Sequence, residues 1–337
     1  MDHIDTPETK NILNLNKIYQ GKPFDTLSEN VYSDHAAIAI NLCCQNYLNK
    51  IYFWNVSNIK YHYHFGSGPF AATHMFSVVD DVIPEKKIWL SKKYAEQINQ
   101  IYNDFVSNKF DIMVIAEGSF DFFETLESKL KKDNHRYELV SNLKYPTDRV
   151  IHEKEKNNVT GILINKNKYG ILGFDMENII YKEDSRNSTL ILPTAFIKNR
   201  ETGDEFTIVG VHLPGCKSQY PENGLGELNN YLNMLIELYP NNVLVALGDF
   251  NTVPSNLSKK INKLKILEPI YPTHINPANQ IVVYDNVVYH FPEKNGNSQN
   301  SINYLELENM DNHSIALVQE LIKNIHESGN KLMDWWE

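Results

Sequence analysis

Short apolar runs recur along this chain, and several of them stop at a single polar residue. Ile51-Tyr52-Phe53-Trp54 stops at Asn55, Ile112-Met113-Val114-Ile115-Ala116 at Glu117, and Ile208-Val209-Gly210-Val211 at His212. Val243-Leu244-Val245-Ala246-Leu247-Gly248 stops at Asp249. Runs this short and this rich in β-branched and aromatic residues predict strands. The pattern predicts them over 36–42, 50–55, 112–116, 160–165, 189–198, 205–212, 242–248 and 280–290. Apolar residues at three- and four-residue spacing predict helices over 91–107, 120–132, 225–238 and 312–327.

Two features organise this alternation. The β-rich runs 188–197 and 206–211 flank Lys198-Asn199-Arg200-Glu201-Thr202-Gly203-Asp204, a polar turn with a glycine, and predict a hairpin. The segment at about 57–90 separates the first strands from the first helix and reads as a loop insertion over a rim of the sheets. It carries His62, His64, His74 and the aromatics Tyr61, Tyr63, Phe65, Phe70 and Phe76. The alternating His62 and His64 have metal-ligand spacing for a strand, but an ordinary exposed face shows the same spacing. The aromatic residues suit base stacking, contact with lipid, or packing within the loop itself.

Composition narrows the class. Of 337 residues, 42% are hydrophobic and 22% charged, which suits a large core and excludes global disorder. The expected layout is a lead-in over 1–30 and a single domain over 31–337. With 32 basic and 42 acidic residues the formal charge is −10, which argues against a strong non-specific grip on duplex DNA. It leaves room for a local basic rim or a metal that neutralises the substrate. Cys43, Cys44 and Cys216 form no CxxC pair, and the adjacent Cys43 and Cys44 suit core packing. Met1-Asp2-His3-Ile4-Asp5 lacks the basic and apolar regions of a secretory signal, and no apolar stretch is long enough to span a bilayer. A cytoplasmic protein is expected, or one exported by a signal-independent route.

The polar strand ends carry the chemistry. Asn55, Glu117, His212, Asp249 and Asn251 close apolar strands, and Asp285 sits within Ile281–Val288. A polar residue after a buried strand is ordinarily a cap or a turn-former. A set of carboxylates, amides and imidazole delivered by successive strands has the donor chemistry of a Mg²⁺ site, where one or two carboxylates leave room for water and phosphate oxygens.

The segments Phe53-Trp54-Asn55-Val56, Ile115-Ala116-Glu117, Val211-His212-Leu213, Leu247-Gly248-Asp249-Phe250-Asn251 and Tyr284-Asp285-Asn286-Val287-Val288 resemble the motifs of the endonuclease/exonuclease/phosphatase (DNase I-like) superfamily. They keep that family's order from about Tyr32 to about His290, and Gly-Asp-Phe-Asn followed by Thr252-Val253-Pro254 is the most specific. The resemblance implies a four-layer α/β sandwich: two packed, mostly antiparallel sheets with helices outside. One motif is displaced. The family's closing Ser-Asp-His strand has only Met310-Asp311-Asn312-His313-Ser314 at its usual place, whereas Tyr32-Ser33-Asp34-His35 precedes a β-type run near the N-terminus. A circular permutation that moves the last strand to the front accounts for this, because the family's last and first strands lie side by side and antiparallel.

By the same resemblance, the activity is metal-dependent hydrolysis of a phosphoester with Mg²⁺, or Mn²⁺, as cofactor. Glu117 and Asn55 would hold the metal, with Asp34 nearby. Asp249 would orient or deprotonate the attacking water and Asn251 would position it. His35 would donate to the phosphate or the leaving oxygen, Asp285 would fix its tautomer, and His212 would bond a phosphate oxygen. Arg186 and Lys144 are further candidates for phosphate contact, and surface solvation explains them as well. The implied substrate is a phosphoester. Nucleic acid or a nucleotide is favoured, a phospholipid or inositol phosphate is the alternative, and a catalytically degenerate binding module is the rival from another class.

Overall fold

The computed structural model of the protein describes residues 35, 37–44, 47–56, 84–141, 159–183, 186–213, 220–267, 269, 274–275, 281–292 and 304–307. The elements, in chain order, are β1 (Ile38–Cys44), β2 (Tyr47–Asn55), α1 (Pro84–Val106), β3 (Ile112–Gly118), α2 (Phe120–Lys132), β4 (Tyr137–Ser141) and β5 (Val159–Asn165). There follow β6 (Tyr169–Glu183), β7 (Arg186–Asn199), β8 (Glu205–His212), α3 (Tyr220–Leu238), β9 (Val243–Asp249) and α4 (Pro254–Lys260). The last described elements are β10 (Lys265–Leu267), β11 (His274–Ile275), β12 (Ile281–Val282), β13 (Asp285–His290) and β14 (Tyr304–Leu307).

Two six-stranded sheets run in the orders β14-β1-β2-β3-β5-β4 and β10-β13-β9-β8-β7-β6, beside a two-stranded β11-β12 pair. Each large sheet is antiparallel except for one central parallel pair, β2 with β3 and β8 with β9. Parallel neighbours need a crossover, and α1 and α3 supply the two. The sandwich is thus built around two βαβ units.

Side-chain alternation builds the layers. Ile51 and Phe53 of β2, Ile112 and Val114 of β3, Phe206 and Ile208 of β8, and Val243, Val245 and Leu247 of β9 share the core between the sheets. Their neighbours Tyr52, Trp54, Met113 and Ile115 pack outward against Ile98, Ile101 and Phe105 of α1 and Phe122, Phe123, Leu126 and Leu130 of α2. On the other side Val209, Val211, Leu244 and Ala246 meet Leu225, Leu228, Leu232 and Leu235 of α3 and Leu257 of α4. Each such fully buried side chain contributes about 1.5–3 kcal/mol. The four-layer α/β sandwich implied by the resemblance is the architecture observed. Cys43 and Cys44 are buried and free, as expected of core residues. Among the described residues, no helix is long and apolar enough to cross a membrane.

Several boundaries differ from expectation. The helix expected from 91 begins at Pro84, so the end of the expected loop insertion is helical. Proline suits a first helical turn because the N–H it lacks would have no intrahelical partner there. The strand expected over 280–290 divides into β12 and β13. Strands β4, β6, β10, β11 and β14 and helix α4 were not expected at all. The helix expected over 312–327, the lead-in 1–30 and segment 57–83 lie outside the described residues.

Candidate active site

The inner rows of four strands end in polar residues at one end of the sandwich. Asn55 continues the row of Ile51 and Phe53, Asp249 that of Val245 and Leu247, and His212 that of Phe206 and Ile208. Asp285 precedes Val287 on the inner row of β13. Register brings them level: His212 and Asp285 are the two ladder partners of Asp249. Gly248 allows β8 and β9 to lie this close, since a Cβ there would sit 1.8 Å from the Val211 carbonyl oxygen.

Glu117 breaks the alternation. It follows Ala116 of the inner row and would point outward in a regular strand, but β3 shifts register against β5 between Ile115 and Gly118, and Glu117 takes a φ of 55°. This departure brings its carboxylate to the inner side. A left-handed backbone at a residue with a side chain costs of order 1–3 kcal/mol and is typical of functional positions. Gly118 beside it leaves no room for a side chain, because a Cβ would lie 2.5 Å from the Phe123 ring.

The six polar groups form one connected set. The Asn55 amide donates from Nδ2 to Glu117 Oε1 and to Asp249 Oδ2, each at 3.1 Å. His212 Nε2 lies 3.2 Å from Glu117 Oε1 and 3.9 Å from Asp249 Oδ2. His35 Nδ1 lies 2.9 Å from Asp285 Oδ2, and its Nε2 lies 3.8 Å from Asp249 Oδ2. An ionised Asp285 only accepts, so the shared proton sits on Nδ1 and Nε2 faces Asp249. His35, Asn55, Asp249 and Asp285 are buried, while Glu117, His212 and Asn251 are partly open. These three are the members of the set that solvent reaches.

Asn251 is held differently from the others. Its backbone N–H donates to Asp249 Oδ1 at 2.8 Å and its amide to the Leu213 carbonyl at 2.6 Å, with φ at 48°. It ties the loop after β9 to the loop after β8 and fixes the Asp249 carboxylate. Asn251, expected to position the attacking water or the phosphate, is placed here so that its backbone N–H holds the Asp249 carboxylate and its amide is taken up by Leu213.

Burial pushes the Asp249 carboxyl up to about 6, and the Asp285 charge adds to this against the pull of His35, His212 and the Asn251 N–H. At His212 burial acts downward, but the hydrogen bond and charge of Glu117 and the charge of Asp249 outweigh it, and the ring pKa is raised. The site thus contains a carboxylate poised near neutral pH and an imidazole inclined to hold a proton.

Two further groups were not foreseen. Trp54 donates from Nε1 to the His35 carbonyl at 3.1 Å and anchors the backbone that carries the imidazole. Its signal lay in the sequence, since a buried indole N–H needs an acceptor. Gln97 of α1 donates to the Val56 carbonyl at 2.8 Å, just past Asn55; nothing in its helical pattern singles it out. Asp34, Asp311, His313, Lys144, His62 and His64 lie outside the described residues, and Arg186 opens β7.

The donor set fits a divalent cation. Glu117, His212 and Asp249 present ligand atoms within 4.8 Å of one another, as do His35, Asp249 and Asp285. Oxygen atoms dominate, and the N–H groups of Asn55 and His212 answer the carboxylate charge where a cation would also do so.

No protein-family model matches this chain, and no curated protein is significantly similar to it. Among solved structures it is similar to TDP2 of D. rerio, humanized by 14 mutations, with 11% identity, 79% of this chain and 86% of that one covered, and a TM-score of 0.45. It is also similar to an endonuclease/exonuclease/phosphatase from Bacteroides vulgatus, with 17% identity, 58% and 79% coverage, and a TM-score of 0.44. A mannosyl-6-phosphatase from Bacteroides thetaiotaomicron follows at 14% identity, 58% and 77% coverage, and a TM-score of 0.41.

Proposed function

We propose that the protein is a metal-dependent hydrolase of phosphoester bonds, acting on a nucleic acid or nucleotide. One observation carries this reading: five strands and the segment before β1 bring Asn55, Glu117, His212, Asp249, Asp285 and His35 into one contact chain.

Glu117 would hold Mg²⁺, or Mn²⁺, with Asp34 as a further ligand, and Asn55, whose Nδ2 here donates to Glu117 and Asp249, would turn its amide oxygen inward to join them. When bound, the cation would neutralise a phosphate oxygen and lower the barrier to attack by water. Asp249, with its pKa at about 6, accepts a proton from that water or aligns it. The backbone N–H of Asn251 keeps the carboxylate in place while it does so. Asp285 holds the Nδ1–H tautomer of His35, which leaves Nε2 to serve the phosphate or the leaving oxygen. His212, inclined to stay protonated by Glu117, donates to a non-bridging phosphate oxygen.

We also infer that the Ser-Asp-His strand of this superfamily stands first in the chain. Two findings support this: β1 pairs antiparallel with β2, and His35 just before β1 meets Asp285. His35→Ala should then abolish activity while His313→Ala keeps it; the reverse would sink the permutation.

The decisive experiment is a panel of oligonucleotides, nucleotides, inositol phosphates, phospholipids and sugar phosphates, assayed with Mg²⁺, with Mn²⁺ and with EDTA. Turnover that requires the metal and falls about a hundredfold or more in Asp249→Ala and His35→Ala is expected. Unchanged rates in both variants would refute the site. No turnover across the panel would leave a binding module.

A further inference from the structure

Helix α1 buries an amide where its pattern asks for an apolar side chain. Ile98, Ile101 and Phe105 form the stripe that packs against β2 and β3, and Tyr94 lies against the same cluster. Gln97 is three residues after Tyr94 and four before Ile101, on that stripe, and is only 1% exposed. A leucine or isoleucine would fill the position more simply, because a buried amide is tolerated only where hydrogen bonds satisfy it. Its Nε2 donates to the Val56 carbonyl at 2.8 Å.

Val56 is the first residue beyond β2. The last rung of the parallel ladder pairs Asn55 with Ala116, the residue before Glu117. Past that rung the Val56 N–H donates to the Ala116 carbonyl at 3.0 Å, and the Val56 side chain is buried in the cluster under α1. The residue after Asn55 is thus fixed from three sides, by β3, by packing and by Gln97. One helical turn earlier, α1 reaches the chain after Glu117. The Tyr94 hydroxyl lies 3.4 Å from Ser119 Oγ, and its ring meets Phe122 edge-on with centroids 5.7 Å apart. Ser119 caps α2, its Oγ accepting from the Phe122 N–H at 3.1 Å. α1 therefore touches the chain just past both Asn55 and Glu117, although it gives no side chain to the six-residue contact set.

Asn55 stands between two carboxylates, donating to Glu117 Oε1 and to Asp249 Oδ2 at 3.1 Å each. Its amide can offer nitrogen to the carboxylates or, after a half-turn, oxygen to a cation. Both roles need the same backbone position. We propose that Gln97 is a positioning residue for this end of the site: by holding Val56 it keeps Asn55 at the depth from which its amide serves Glu117 and Asp249. This rests on the reading of Glu117 and Asn55 as cation ligands, and adds that α1 tunes cation affinity from one step behind them. Groups in that place change affinity or activity by about 10- to 100-fold when removed.

The test compares the full wild-type chain with Gln97→Met, which keeps the volume and removes the donor. Ile101→Val is the control, since it loosens the same stripe away from Val56. Mg²⁺ affinity is read by calorimetric titration well below the Tm. The side-chain amide signals of Asn55, assigned by their loss in Asn55→Asp, are read by NMR without metal. In Gln97→Met the Mg²⁺ Kd should rise about tenfold or more, and the Asn55 signals should move or broaden. Ile101→Val should leave both as in the wild type, even at a lower Tm. Gln97→Asn, one methylene shorter, withdraws the amide from Val56 and should show the same two changes; it serves alone if Gln97→Met does not fold. Unchanged Asn55 signals, an unchanged Kd, or equal changes in Ile101→Val would each overturn the proposal. If the wild-type chain binds no Mg²⁺, the cation reading falls, while the Asn55 signals still decide whether Gln97 positions it.

Discussion

Asp249 and Asp285 stand directly opposite each other in the antiparallel ladder of β9 and β13, two buried carboxylates as cross-strand partners. Like charges in this position destabilise a sheet. His35 makes the pairing tolerable, with Nδ1 2.9 Å from one carboxylate and Nε2 3.8 Å from the other. Removing the imidazole takes away, among the described residues, the one group that lies against both carboxylates. His35→Ala should cost about 3–5 kcal/mol in thermal or denaturant unfolding, and His35→Ala/Asp285→Asn should regain part of it. Additive losses in that double-mutant cycle would show that the two side chains do not interact.

The same crowding predicts a pH effect. The folded pKa of Asp249, about 6, lies above the ordinary 3.8, so the folded state holds the proton more tightly. The stability this group contributes is therefore present at low pH and lost as pH rises through about 6. Asp249→Asn has no such group. The difference in Tm, variant minus wild type, should grow from about pH 5 to about pH 7.5 without metal, and Mg²⁺ should suppress that growth. A difference that stays flat with pH would contradict the shift.

Metal binding has a readout apart from turnover. If Glu117 is a ligand, Mg²⁺ at a hundred times its Kd should stabilise the wild-type chain by about 2.7 kcal/mol, and Glu117→Gln should lose most of that gain. Equal Tm shifts in both proteins would place the ion elsewhere.

Backbone strain can be separated from chemistry at Asn251, with its φ of 48°. Asn251→Ala and Asn251→Gly both remove the amide that meets Leu213. Only the alanine must hold a left-handed backbone without a compensating polar side chain, so it should be less stable than the glycine variant by about 1 kcal/mol.

Packing gives the sharpest prediction. A Cβ at Gly248 would lie 1.8 Å from the Val211 oxygen, and only separation of β8 from β9 relieves this. Gly248→Ala should cost about 3 kcal/mol or more and misalign His212 with Asp249. A well-folded, active alanine variant would contradict the strand spacing.

The half of the site on β2, β8 and β9 was legible because Asn55, His212 and Asp249 end unbroken apolar runs whose inner rows point at one another. Glu117 was legible as a residue but not as a geometry. A period of two sends it outward, and only the irregularity between Ile115 and Gly118 turns it in. β6 escaped notice because Gly170, Gly173, Asp175 and Glu177 interrupt its hydrophobic pattern. An edge strand with Leu172 and Phe174 exposed carries little of the signal that burial writes into a sequence. Trp54 stood inside a recognised motif, yet its bond to the His35 carbonyl joins residues that only the β1–β2 hairpin brings together.

The separation of His35 from Asp285, 250 positions along the chain, also sets a timetable. At about 5–20 residues per second, a ribosome finishes that interval in roughly ten seconds to a minute. Throughout it the imidazole has no carboxylate to fix its tautomer. A half-made chain therefore holds the early pieces of the site without a working whole, and the site proposed here can close only after Asp285 has been made.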